Sequence, residues 1–150
     1  MVPWAVIFDN AQLRSGLRAI HAQLAPAEAT AIFDLARLGA AADRRSDIAE
    51  IGILLGLARI VYEMAAMTAM PVPGGVIDPS RLPALGAQLG SPGARELAFA
   101  CTFLVMIHDR ELTTEEAQLA GRLSETLAIS PARANQLALH VESLARAAQR

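Results

Sequence analysis

The chain has 150 residues, of which 53% are apolar and only 4% aromatic, and its formal net charge is −2. A chain of this length forms one domain around a single core; Ala and Leu favour helices, and the aromatic or Thr-rich runs that favour strands are absent. The 13 basic residues are all Arg and are dispersed, so no nucleic-acid surface is predicted. We therefore expect an all-α, single-domain helical bundle with an aliphatic core.

Two amphipathic helices are predicted first. Helix one begins near Asp9 or Asn10, and its apolar residues recur at helical spacing. These residues are Leu13, Leu17, Ile20 and Leu24. Helix two runs from Pro26, a favourable first-turn residue, to about Ala42. Its apolar face consists of Ile32, Leu35 and Leu38.

Helix three is predicted to run from Ile48 to about Met67. Asp47 caps it, and Glu50 three residues later completes a capping box. Apolar residues cover most of its circumference, which is typical of a central helix. The Pro- and Gly-containing linker over about 70–79 then ends the first half of the chain.

A short helix opens the second half. Ser80 is its predicted cap, Pro83 lies in its first turn, where backbone N–H groups lack helical partners, and it ends at Gly90. Helix five follows Ser91 and Pro92 and carries a long apolar run over 97–107, so it is a second buried helix. Helices three and five are therefore expected in the middle of the bundle.

Two more helices complete the predicted set of about seven. Helix six is capped by Thr113, with Glu116 as its capping-box partner. Helix seven begins at Ser130 and Pro131 and continues to about Ala148.

The segment over 97–107 contains Cys101, the only cysteine, so the chain has no internal disulfide. An apolar setting indicates a buried thiol rather than a nucleophile. Residues 1–8 have no basic region typical of a signal peptide, and the longer apolar runs are broken by Arg59 and Glu63. These features predict a cytoplasmic protein without a transmembrane segment.

An Asp-Arg pattern with Glu seven positions after the Asp occurs twice. The copies begin at Asp43 and Asp109, 66 residues apart. Each copy follows one apolar segment and opens another. The pattern therefore predicts a duplicated helix–acidic corner–helix unit over about 26–67 and 92–128.

The duplicated unit resembles the TerB-like domain of the tellurite-resistance B family. The residues that carry the resemblance are the segments 35–43 and 103–109, Glu50 and Glu116, and the segment 123–130. The resemblance spans roughly residues 26–146. It implies a compact seven-helix fold, a role in bacterial stress or in resistance to tellurite and other toxic oxyanions, protein interaction, and metal binding at the acidic corners.

Six carboxylates form the candidate metal sites, because hard divalent cations prefer such oxygen ligands. They are Asp43, Asp47 and Glu50 at one corner and Asp109, Glu111 and Glu116 at the other. The alternative is a purely structural corner, since Glu50 and Glu116 already serve as capping-box partners. Arg44 and Arg110, which stand where the family commonly has Gly, also weaken cation binding.

No constellation typical of an active site occurs in the sequence. His21, His108 and His140 share no metal-ligand spacing, and the His108–Asp109 pair has no nucleophile beside it. We therefore expect a non-enzymatic protein with a protein partner. The apolar segment 2–8 is predicted to pack on the bundle or in a homodimer interface.

Overall fold

The computed structural model describes residues 11–41, 48–66, 79–107 and 114–148. These ranges contain seven α-helices and no strand, which confirms the all-α prediction. The helices are α1 (Ala11–Ile20), α2 (Pro26–Ala41), α3 (Ile48–Met64), α4 (Leu82–Ala87), α5 (Pro92–Met106), α6 (Thr114–Thr126) and α7 (Pro131–Ala148). A 3-10 turn over Pro79–Arg81 leads into α4.

Local chemistry fixes the start of α5 and of α7. The Ser91 hydroxyl accepts a hydrogen bond from the backbone N–H of Ala94 at 3.2 Å, and the Ser130 hydroxyl accepts one from Arg133 at 3.1 Å. In both helices Pro is the first residue, a position where its missing N–H costs nothing. The predicted starts of these two helices are therefore correct.

Two alanines in the left-handed region follow helix ends. Ala66 has a φ of 56° and Ala128 a φ of 57°. After α6 the backbone N–H of Ile129 donates to Ser124 O at 2.8 Å, and that of Ala128 donates to Glu125 O at 3.1 Å. This pair of bonds is a Schellman motif, and it satisfies carbonyls that the helix end leaves open.

Helices α2 and α5 form the centre of the core, and α5 also contacts α1, α3, α6 and α7. At their crossing, Gly39 brings the α2 backbone close to Thr102 of α5. The prediction that helix three is central is wrong: α3 has a solvent face that exposes Arg59 and Glu63. Helix α2 is buried on more than one side because several of its positions are small residues that fit against neighbouring helices. These are Ala29, Ala31, Ala36 and Gly39.

Three helices also have boundaries that differ from prediction. Helix α1 ends at Ile20, so Leu24 belongs to the following loop, where it is buried and its N–H donates to Met64 O at 3.3 Å. Helix α3 ends at Met64, because the next two residues turn away through Ala66. In α4 the N-cap position belongs to Arg81, whose side chain makes no capping hydrogen bond, rather than to Ser80, because the 3-10 turn occupies the start of the predicted helix. Helix α4 also ends at Ala87 rather than at Gly90.

Two pairs of helices in the two halves begin at matching positions. Helix α2 starts at Pro26 and α5 at Pro92, 66 residues apart, and α3 and α6 start at Ile48 and Thr114 with the same offset. Each half also packs against the other half. Helix α1 of the first half packs on α5 of the second, and α4 of the second half packs on α2 of the first. Helix α7 lies outside this relation and packs on α1 and α5.

No helix in the four described ranges is both long enough and apolar enough to span a bilayer.

Candidate functional site

Most of the predicted acidic corners lies outside the described residues. This holds for Asp43, Asp47, Asp109 and Glu111, and for the side chain of Glu50, whose backbone lies in α3. The apolar N-terminal segment, the proposed homodimer contact, also lies outside them. Both metal binding and dimer formation therefore stay predictions.

Glu116 is the one predicted ligand whose side chain the structure describes. It lies in the first turn of α6 and is 2% exposed. A carboxylate near a helix N-terminus is favoured by the helix dipole, and a buried one needs a partner. Glu116 makes at least one interaction within the protein, so it is not an unpartnered buried acid.

Within 11–41, 48–66, 79–107 and 114–148, no three His, Cys, Asp or Glu side chains converge as a metal site. The two described histidines make structural contacts instead. The His140 Nε2 atom lies 3.2 Å from the carbonyl oxygen of Gly16, which links α7 to α1. The His21 ring packs against Gly93 at the start of α5, at a place where a Cβ atom would not fit.

Cys101 lies in the middle of α5 and is completely buried. Burial raises the pKa of its thiol to about 12, because the thiolate would lose its hydration. The thiolate is the nucleophilic form of cysteine. The structure therefore agrees with the prediction of a small buried apolar side chain.

A cavity that the sequence did not predict opens between the first turn of α5 and the connection from α6 to α7. We call it the arginine cavity, and its volume is about 350 Å³. Its lining consists of Pro92, Arg95, Glu96, Leu127, Ala128, Ile129, Ser130 and Arg133.

A two-point ion pair joins the two sides of the arginine cavity. Arg133 donates from Nε to Glu96 Oε2 at 3.0 Å and from Nη2 to Glu96 Oε1 at 2.8 Å. Its Nη1 atom donates to Gln136 Oε1 at 3.2 Å. The hydrogen bonds from Arg133 to the Glu96 carboxylate raise the pKa of this guanidinium further. Arg133 is therefore held in one orientation by three acceptors.

Arg95 is fixed at one end only. Its Nε atom donates to the backbone oxygen of Leu89 at 2.9 Å. A guanidinium has five N–H donors, and no described residue accepts from the four at its far end. The arginine cavity therefore contains two guanidinium groups and one carboxylate, that of Glu96, which Arg133 already engages.

No sequence pattern predicted this arrangement. Arg95 and Glu96 lie 37 residues or more before Arg133, and no motif joins the three residues. One weak signal was present: both arginines lie in the first turns of helices that begin with Pro, where a cation is disfavoured by the helix dipole.

Comparison of the chain with protein-family models, with curated proteins and with solved structures gives no match.

Proposed function

We propose that this chain is a non-enzymatic TerB-like domain that acts in a bacterial stress response, including resistance to tellurite and related oxyanions, by binding a partner protein. The observation that supports this proposal is the common offset of the two halves. The acidic motifs at Asp43 and Asp109 and the starts of the helices around them share the 66-residue spacing. A duplicated helix–corner–helix unit is the feature on which the resemblance rests.

The proposal that the protein is not an enzyme has support from three potentially reactive side chains among the described residues. Burial keeps the Cys101 thiol protonated at neutral pH. His21 and His140 are both used in contacts between helices or at a helix start. These side chains therefore serve the fold.

In the proposed function the acidic corners hold a divalent cation through carboxylate oxygens. A second candidate is an interaction module of the same fold without an ion site. The burial of Glu116 favours this second candidate, because its side chain is shielded from solvent and Glu116 already makes an interaction within the protein.

A thermal melt of the EDTA-treated full chain separates the two candidates. The melt is repeated with calcium, magnesium, manganese and zinc. A cation at 100 times its dissociation constant adds about 2.7 kcal/mol to the free energy of unfolding. At about 2–4 °C per kcal/mol for a chain of this length, the midpoint rises by roughly 5–10 °C.

The rise must depend on the corner carboxylates. We expect it to be lost in Asp43→Asn and Asp109→Asn and kept in Glu125→Gln, which neutralises an exposed carboxylate elsewhere on α6. No rise with any cation, or an equal rise in the Asn variants, would contradict an ion site and leave the second candidate.

The physiological role is tested in the organism that carries the gene. We expect deletion of the gene to increase sensitivity to tellurite and re-expression of the full chain to restore growth. Equal growth of the deleted and complemented strains across a tellurite series would refute the proposed stress role.

A further inference from the structure

We propose that the arginine cavity binds a small organic carboxylate, with the far end of Arg95 as the partner of its carboxyl group. This inference rests on described side chains alone and does not depend on the acidic corners.

The charges in the arginine cavity do not balance. Arg95 and Arg133 supply two positive charges, and Glu96 supplies one negative charge. Both arginines also lie near the positive ends of long helices, α5 and α7, which adds to the positive potential. One further negative charge would neutralise the lining, and a monoanion therefore fits this site.

The donors of Arg95 are positioned before a ligand arrives. The bond from Nε to the Leu89 carbonyl holds the guanidinium, and Leu89 itself is fully buried. The far end of the group, which no described residue engages, belongs to a side chain that lines an open cavity. A planar guanidinium matches the two oxygens of a carboxylate with two parallel hydrogen bonds, and such charged pairs are stronger than neutral ones.

The size and the walls of the cavity restrict the rest of the ligand. A volume of about 350 Å³ lies near the lower end of the range for small-molecule sites. Pro92, Leu127 and Ile129 belong to the same lining and supply apolar wall. This wall suits a short aliphatic body. An inorganic phosphate dianion would over-neutralise the lining beside Glu96 and leave the apolar wall uncovered.

The test is an amide chemical-shift titration of the full chain with hexanoate as the probe. We expect saturable millimolar binding with the largest shifts in residues 93–96 and 127–133. Hexanamide, which has the same body without the charge, and inorganic phosphate are titrated in parallel. Both are expected to bind at least about tenfold more weakly, because the charged hydrogen bonds or the apolar contact are lost.

Arg95→Gln removes the proposed partner, and Arg122→Gln removes an exposed charge on α6 that does not line the cavity. We expect hexanoate binding to weaken at least about tenfold in the first variant and to stay unchanged in the second. If Arg95→Gln does not fold, Arg95→Lys takes its place, since it keeps the charge and loses the planar pair of donors, and binding should weaken several-fold.

The inference is overturned by any of three results. The first is the absence of saturable shifts with hexanoate. The second is equal binding of hexanoate by the Arg95 variant and the wild-type chain. The third is binding of hexanamide or phosphate that equals or exceeds that of hexanoate.

Discussion

Replacing Gly39 with Ala tests the close packing of α2 on α5. A Cβ atom at this position would lie 3.0 Å from Thr102 Cγ2, 3.1 Å from the Thr102 backbone oxygen and 3.3 Å from Met106 Cγ. The backbone oxygen is part of α5 and cannot withdraw alone. The Thr102 side chain is also held, because its hydroxyl donates to Ala98 O at 2.8 Å.

Two opposing terms decide the sign of the effect. Ala is favoured over Gly inside a helix by about 0.5–1 kcal/mol. An extra methyl group forced into a packed core costs about 1–3 kcal/mol. Because the neighbours of Gly39 are fixed, we expect a net loss of about 1–2 kcal/mol, which lowers the melting midpoint by roughly 2–8 °C at this chain length.

The assay is thermal and urea unfolding followed by circular dichroism. Gly121→Ala is the matched control, because it lies in α6 and a Cβ there would meet no atom within 4 Å. This control should stabilise the chain by about 0.5–1 kcal/mol. Thr102→Ser, which removes Cγ2 and keeps the hydroxyl, should recover part of the loss caused by Gly39→Ala.

A Gly39→Ala chain that melts at or above the wild-type midpoint would refute the reasoning. That result would mean that α5 can move away from α2 at little cost. If Gly121→Ala also has a lower melting midpoint than the wild-type chain, the stability gain assumed for Ala over Gly in a helix is wrong at both Gly39 and Gly121.

Three further predictions follow from described residues. Ala128→Gly should raise the free energy of unfolding by about 0.5–1 kcal/mol, because Gly adopts a positive φ without strain; a lower melting midpoint would contradict this. Cys101 should react with a thiol reagent only after denaturation. As pH rises from about 9 towards 12, the thiol of the unfolded chain should ionise while the thiol of the folded chain stays protonated. The free energy of unfolding should therefore fall over that range, and Cys101→Ala should remove this part of the slope. A double-mutant cycle of Glu96→Gln and Arg133→Gln should give a coupling of about 0.5–1 kcal/mol that salt reduces; a salt-independent value would exclude a partly exposed ion pair.

The starts of helices were predictable because they depend on neighbouring residues. A serine cap before Pro marks both α5 and α7, and the hydroxyl makes its bond within three residues. The turns through Ala66 and Ala128, which follow the ends of α3 and α6, were not predictable in this way. Alanine favours helices, and only the surrounding packing can hold it at a positive φ.

The central position of α2 was hidden by its composition. Small residues such as Ala36 and Gly39 carry little hydrophobic signal, yet they allow another helix to approach closely. Asp34 and Arg37 are charged, so the sequence of α2 predicts an amphipathic helix. In the structure Asp34 Oδ1 and Arg37 Nη1 pair at 3.3 Å, and both side chains are less than a fifth exposed. Burial of this kind depends on a partner helix from the other half of the chain, about which a local pattern says nothing.

The interlocking of the two halves has a consequence for cooperativity. Helix α1 packs on α5, α4 packs on α2, and the central contact joins α2 to α5. A fragment that ended after α3 would expose the side of α2 that α5 covers and leave α1 without its support. We therefore expect that neither half folds by itself and that the two halves unfold together in one all-or-none transition.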